Sequence, residues 1–425
     1  MLRVQKDGYE PRSEGVAASE EVILQIVLSP IGRHAQNAPD QRAVDGHSRD
    51  DEENRRKGAP VERLAELGWS ITPEGTDRWR FSALGIFPRM DKSSVYFRSL
   101  KAPFSINLSQ PKTIDGLAHL QGIPNFTGLS ISAGEFHDIS ELKSLTSLAT
   151  LEITQTPIND LSPVAGLKNL RELMLNEDPV SDIGPLSNLH QLTRLGLMDT
   201  RVSDLSPLRG LPLEWLTLDG SNVVNLSPIA EMETLDHLDI SGKQVADLAR
   251  LKHLTNLRRI NITDQVPLDL SPLGDLPQVE SLLILGGASP SDIAPLGKMQ
   301  GLSELAIIGD FLHISPVRNF ATIEQLPNLS KLYLNLVYIQ MDDVIHIGRL
   351  QNLRELGLPC PPNISNISAI GQLKKLEVLV LSGASIVDIS PLLDLPRLRE
   401  LSIRGVPARA DVLTELERRG VKVTR

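Results

Sequence analysis

The chain predicts an α/β solenoid: one curved parallel β-sheet on the concave face, short 3₁₀ or helical turns on the convex face, and a cap at each end. Three observations predict it. An aliphatic pattern, L-x-x-L-x-L, recurs from Ile106/Leu108 to Leu401/Ile403. Successive centres lie about 22 residues apart, with one stretch of about 27, a period typical of stacked coils. Between the strands, strings such as Asp160-Leu161-Ser162-Pro163 and Asp388-Ile389-Ser390-Pro391 recur in step with the leucines.

Each stretch of chain has its own reason. Residues 1–60 alternate charged and small residues, and Arg49 to Lys57 is nearly all charged, so this part reads as a disordered tail with too little apolar surface to offset ordering. From residue 61 to 105 the aromatics Trp69, Trp79, Phe81, Phe87, Tyr96, Phe97 and Phe104 crowd together. Val61 to Leu67 has helical apolar spacing, and Gly68 to Thr72 and Asp77 to Ala83 are spaced to pair across Pro73-Glu74-Gly75. This helix plus hairpin reads as the N-terminal cap.

Residues 106–405 form the array, a leucine-rich-repeat solenoid by its period. Triplets such as Leu173-Met174-Leu175 alternate inward and outward as a strand must, and each neighbouring unit supplies the next parallel strand. Proline lacks an N–H and has φ preset, so Ser-Pro suits the first turn of a short 3₁₀ segment. Leu161, Val164, Leu167 and Leu170 then return to the interior beside Leu151, Ile153 and Ile158, and no unit buries its apolar ring alone. In residues 406–425, Val412, Leu413 and Leu416 mark one face of a final helix, followed by a strand around Val421-Lys422-Val423.

Leu192 to Leu208, LTRLGLMDTRVSDLSPL, resembles the repeat of internalin-like leucine-rich-repeat proteins, and the likeness runs from about residue 104 to 405. The resemblance implies partner binding through the concave sheet. Internalin repeats carry Asn where this chain has Thr156, Asp178, Thr200, Ser221 and Lys243, so a regular asparagine ladder is expected to be incomplete. Gly116 to Gly122, with Leu67-Gly68-Trp69 before it, is similar to the lead-in of cytoplasmic bacterial repeat proteins.

With the leucines facing inward, the residues flanking the second one face outward. The expected partner-binding set is Glu172, Met174, Arg194, Met198, Trp215, His237, Asp239, Arg259, Asn261, Leu283, Leu285, Glu304, Ile308, Lys331, Tyr333 and Glu355. Trp215 among Met and Arg side chains has the composition of an interface hot spot. Leu283, Leu285, Ile308 and Tyr333, continued by Val378 and Val380, read as an exposed apolar strip or as one covered by the solenoid's own curvature. The lengthened units after Ile307 and Leu334 bring Phe311, Phe320 and Val337 to Met341 as further candidates.

Net charge of −10 and the lack of a basic stripe exclude a phosphate-tracking surface. Val22 to Leu28 is too short to span a bilayer, and the lone Cys360 points to a reducing compartment, the cytoplasm. Cys360 has no adjacent histidine to activate it. Triplets at Asn107, Asn225, Asn261, Asn328 and Asn363 read as structural and not as glycosylation acceptors. No phosphate-loop or zinc motif occurs. The expectation is therefore a non-enzymatic, cofactor-free, monomeric module that binds an unidentified protein and neither nucleic acid nor membrane. The alternative is a regulatory subunit or transcriptional regulator with a DNA-binding or effector segment in residues 1–105.

Overall fold

The computed structural model describes residues 60–74, 78–85, 88–264, 268–286, 292–309, 317–335, 337, 339–359, 364–382 and 386–425. The tail 1–59, Phe87, Phe311, Cys360 and Asn363 lie outside them.

Among the described residues seventeen strands form one sheet that follows chain order. β1 (Ser70–Glu74) and β2 (Arg78–Leu84) make an antiparallel hairpin. β2 then pairs in parallel with β3 (Phe104–Ser109), and every later pairing to β17 (Lys422–Thr424) is parallel. The register stacks like on like, so that Leu173, Leu195, Leu216 and Leu238 are direct neighbours in β6 (Glu172–Met174), β7 (Arg194–Gly196), β8 (Trp215–Thr217) and β9 (His237–Ser241). All four are fully buried. In the coil that begins at β5 (Thr150–Thr154), Leu151, Ile153, Ile158, Leu161, Val164, Leu167 and Leu170 close the predicted apolar ring.

The convex turns form for the expected reason. Asp160, Asp204, Asp269 and Asp388 each accept the backbone N–H of the serine two residues on, at 2.8–2.9 Å. This closes the turn in which proline occupies the first positions of a 3₁₀ helix. Hydrogen bonds from the serine hydroxyl first, and then from that backbone N–H, hold the carboxyls of Asp204, Asp269 and Asp388 below the usual range.

Two rows of hydrogen bonds outside the strands tie the coils together. Just past the strands, Gln110, Ala133, Gln155, Glu177 and Asp199 all adopt φ between 53° and 63°. A non-glycine residue pays about 1 kcal/mol there. Each nevertheless aims its N–H at a carbonyl of the next coil, such as Glu177 to Met198 at 2.8 Å and Asp199 to Asp219 at 2.8 Å. Ahead of the strands, Asn125, Asn169, Asn256, Asn328 and Asn352 donate side-chain amides to carbonyls of the preceding coil at 2.7–2.9 Å. Asn328, like Asn225 at its turn, thus has the structural role read from the repeat.

The caps close the core's two ends. Residues 60–66 are helical, and a second helix, Met90–Ser99, follows the hairpin. Sequence reasoning missed this second helix, because its buried face is Met90, Ser93, Ser94 and Phe97, two of them serines. Trp69, Phe81, Phe97, Phe104 and Phe126 form a chain of ring contacts with centroids 4.9–5.8 Å apart, and the Trp69 indole donates to Ser93 Oγ at 3.0 Å. The aromatics are therefore core, and the hairpin is stitched into the solenoid sheet by β2. At the other end the helix Ala410–Arg418 buries Val412, Leu413 and Leu416, and β17 extends the sheet.

Because Leu195 is fully buried between two coils, Leu195→Ala is expected to lower unfolding free energy by about 2–5 kcal/mol. Urea unfolding of the full chain measures it.

Candidate protein-binding face

Strand register places the outward residues of β6 to β10 (Arg259–Asp264) side by side. One row runs Glu172, Arg194, Trp215, His237, Arg259, and the next Met174, Gly196, Thr217, Asp239, Asn261. Glu172 pairs with Arg194 at 3.6 Å, and the Arg194 guanidinium sits 4.6 Å above the Trp215 ring. Trp215 meets the His237 ring edge-on at 5.8 Å. His237 Nε2 lies 2.7 Å from Asp239 Oδ1, and the Asn261 amide donates to the same oxygen at 2.7 Å. With Nε2 donating to Asp239, the nearby Asn261 amide has the carboxylate and not the ring as its acceptor. Arg259 pairs with Asp236 at 2.9 Å. Trp215 is half-buried, pinned between a cation and an imidazole with part of its surface open. Met198 is half-buried two residues beyond Gly196.

The expectation of exposure fails at Met174, and in the apolar strip the covered alternative holds at Leu283, Tyr333 and Val380. Met174 is only 9% exposed: it lies across Gly196, where a Cβ would stand 2.6 Å from its sulfur. Tyr333 is 2% exposed and lies likewise across Gly357, where a Cβ would stand 2.5 Å from the ring. Leu283 is buried as well, and with Ala306, Tyr333 and Val380 it forms a second apolar cluster on the concave side, flanked by Leu285 and Ile308. Concave curvature draws outward side chains together, and each glycine opens a slot for the large residue one coil earlier. That pairing of a large outward residue with glycine in the next coil was a signal available in the sequence. The cluster's polar border is Glu304, Lys331 and Glu355. Lys331 lies 3.6 Å from Glu355, which also accepts the Tyr333 hydroxyl. Burial and that carboxylate raise the phenol's pKa.

The edge of the sheet past the strands is acidic and partly desolvated. Burial first, then Asp199, pushes the Asp219 carboxyl up to about 6. Burial and Glu177 raise Asp199. Beneath this edge run the positions where internalin repeats carry asparagine. Thr156 Oγ1 accepts the Gly134 N–H at 3.2 Å, Asp178 Oδ1 accepts the Thr156 N–H at 2.7 Å, and Thr200 donates to the Leu197 carbonyl at 2.8 Å. In the next coils Lys243 donates to the Ser221 carbonyl and Gln244 to that of Val223. The ladder is thus built from mixed side chains. Asp178 fits least well: it is 1% exposed, its Oδ2 has no partner, and burial pushes its carboxyl up to about 8.

Among the described residues no group of His, Cys, Asp and Glu could hold a metal ion, and no helix is long and apolar enough to cross a membrane. No protein-family model matches the chain, and no curated protein does. Solved structures do. An internalin, InlF, of Listeria monocytogenes is 28% identical, with 67% of this chain and 88% of that one covered and a TM-score of 0.50. A leucine-rich-repeat protein of Leptospira interrogans is 17% identical, with 79% and 92% covered and a TM-score of 0.54. The second likeness is one of fold.

The buried carboxyl at Asp178 makes a pH-dependent prediction. An acid whose folded pKa lies above its unfolded value supports the fold fully below about pH 4 and loses that support as pH rises through about 8. Asp178→Asn is expected to match the parent near pH 4 and exceed it at pH 8 by on the order of 1–3 kcal/mol. Thermal unfolding at the two pH values measures this.

Proposed function

Since the chain is an internalin-like leucine-rich-repeat protein, we propose that it works without catalysis, by holding a partner protein against the concave sheet over β6 to β10. The observation that carries this reading is the Glu172–Arg194–Trp215–His237–Asp239–Asn261 run, in which a half-open indole is bracketed by a cation and an imidazole. Aromatic and arginine side chains in such settings carry most of the free energy at protein interfaces. The side chains around Trp215 are already held by ion pairs and hydrogen bonds, so docking orders few new rotamers. Glu304, Ile308, Leu285, Lys331 and Glu355 continue the face toward the C-terminal coils. Leu283, Met174 and Tyr333 support it from beneath.

The cytoplasm fits this reading, since a single cysteine serves a reducing compartment without loss. A monomer fits it too, because a solitary coil array leaves its whole concave face to a partner.

Trp215→Ala is expected to weaken the partner complex at least about 30-fold, equivalent to roughly 2 kcal/mol. The convex variant Lys168→Ala should leave it unchanged. Quantitative affinity capture with the full chain as bait checks both, and capture that is insensitive to Trp215→Ala removes this face from consideration.

A further inference from the structure

The proposed binding face holds more carboxylate than its own cations neutralise. Arg194 is engaged by Glu172 and Trp215, Arg259 by Asp236, and the Lys243 amine donates to the Ser221 carbonyl. Asp239 has one oxygen engaged by His237 and Asn261, and the Lys243 amine acts on Asp199 from a distance, but among the described residues no Lys, Arg or His forms an ion pair with Asp219. Asp219 instead takes hydrogen bonds from Thr263 and the Gly220 N–H while facing Asp199 and Asp239. Burial, Asp199 and Asp239 all press its carboxyl toward the neutral form, and only hydrogen bonds oppose them. A second, independent feature lies at the centre of the same patch. Thr217 ends β8, two residues after Trp215 and two before Asp219, and lies between Gly196 and Asp239 across the sheet. It is 6% exposed, and its hydroxyl has no hydrogen-bond partner. A buried hydroxyl without a partner carries a desolvation cost that an incoming polar group removes.

We propose that the partner engages this patch with a basic side chain, lysine or arginine, whose cation lies between Asp219 and Asp239 over the Thr217 hydroxyl and whose alkyl stem rests on Trp215. The inference depends on the concave face being the binding face and specifies what that face recognises. A cation there meets the Asp219 carboxylate, the Asp239 oxygen that His237 and Asn261 do not engage, and the Thr217 hydroxyl, in a partly desolvated site where charge-assisted hydrogen bonds are strongest. The stem covers the part of the indole that Arg194 leaves open, as long basic side chains commonly cover aromatic surface. A bare metal ion fits less well, because the carboxylates are too dispersed to form a set of three or more ligands.

The test uses the full chain, with the indole N–H signals of Trp69, Trp79 and Trp215 followed by NMR at constant ionic strength. N-acetyl-lysine methylamide and N-acetyl-arginine methylamide are the probes, with N-acetyl-glutamine methylamide as the neutral control. Either basic probe is expected to shift the Trp215 signal saturably and leave that of buried Trp69 in place. Asp219→Asn should weaken the apparent Kd at least about fivefold, and Asp239→Asn, should the first variant fold poorly, serves as the second. An equal response to the glutamine probe, or affinity unchanged in both variants, overturns the proposal. Partner capture separates the two readings. If Trp215→Ala abolishes capture and Asp219→Asn leaves it intact, the face stands and the basic side chain is wrong. If neither substitution matters, both readings fall.

Discussion

Every coil of this chain has an apolar interior it cannot close by itself, and the structure follows from the way successive coils close it for one another. Leu151, Leu173, Leu195, Leu216 and Leu238 stack directly because parallel pairing carries each strand onto the next without a slip. A one-residue shift would turn the whole apolar row to solvent, so burial itself holds the register. Once that row is set, the residues between the leucines have only one other face to occupy. The concave surface is therefore a by-product of core packing, and its side chains are ordered by the repeat.

Packing alone leaves many backbone groups at the turns, and these are satisfied coil to coil. Left-handed residues after the strands aim their N–H groups at the next coil, and asparagine amides before the strands reach back to the previous one. Ser-Pro turns closed by aspartate complete the convex side. Where Asp178 takes a position in this scheme, its second oxygen has no partner and its proton is retained well above the usual range. The interior thus tolerates a carboxyl at the cost of a pH-dependent stability, which threonine at positions 156 and 200 avoids.

The concave sheet is uneven along its length. Toward the C-terminal coils, Leu283, Ala306, Tyr333 and Val380 satisfy one another and present little to solvent. In the middle coils the outward side chains are polar or aromatic, linked by ion pairs and hydrogen bonds, and they flank an acidic edge short of cations. A surface of the first kind adds stiffness, and one of the second kind offers unpaired charge and open aromatic area. The open aromatic and charged surface of the sheet is thus concentrated at β6 to β10.

The period, the parallel sheet, the Ser-Pro turns and the inward or outward sense of nearly every strand residue were readable from Ile106 to Ile403, because they depend on local pattern repeated many times. So were the closing helix around Val412 and Leu416 and the structural use of Asn225 and Asn328. Three things depended on which side chains lie near one another across coils. The helix Met90–Ser99 buries serines against Trp69, a fit that apolar spacing does not reveal. Met174 and Tyr333 face outward as expected but are covered, because curvature and a glycine in the following coil let them lie down on the sheet. The partner-free Thr217 hydroxyl and the raised carboxyl of Asp178 arise mainly from burial, and that of Asp219 from burial and from Asp199 and Asp239, each about a coil away in sequence. Alternation along a strand is a local property and survives in the sequence, whereas exposure and protonation are set by neighbours that only the folded stack brings together.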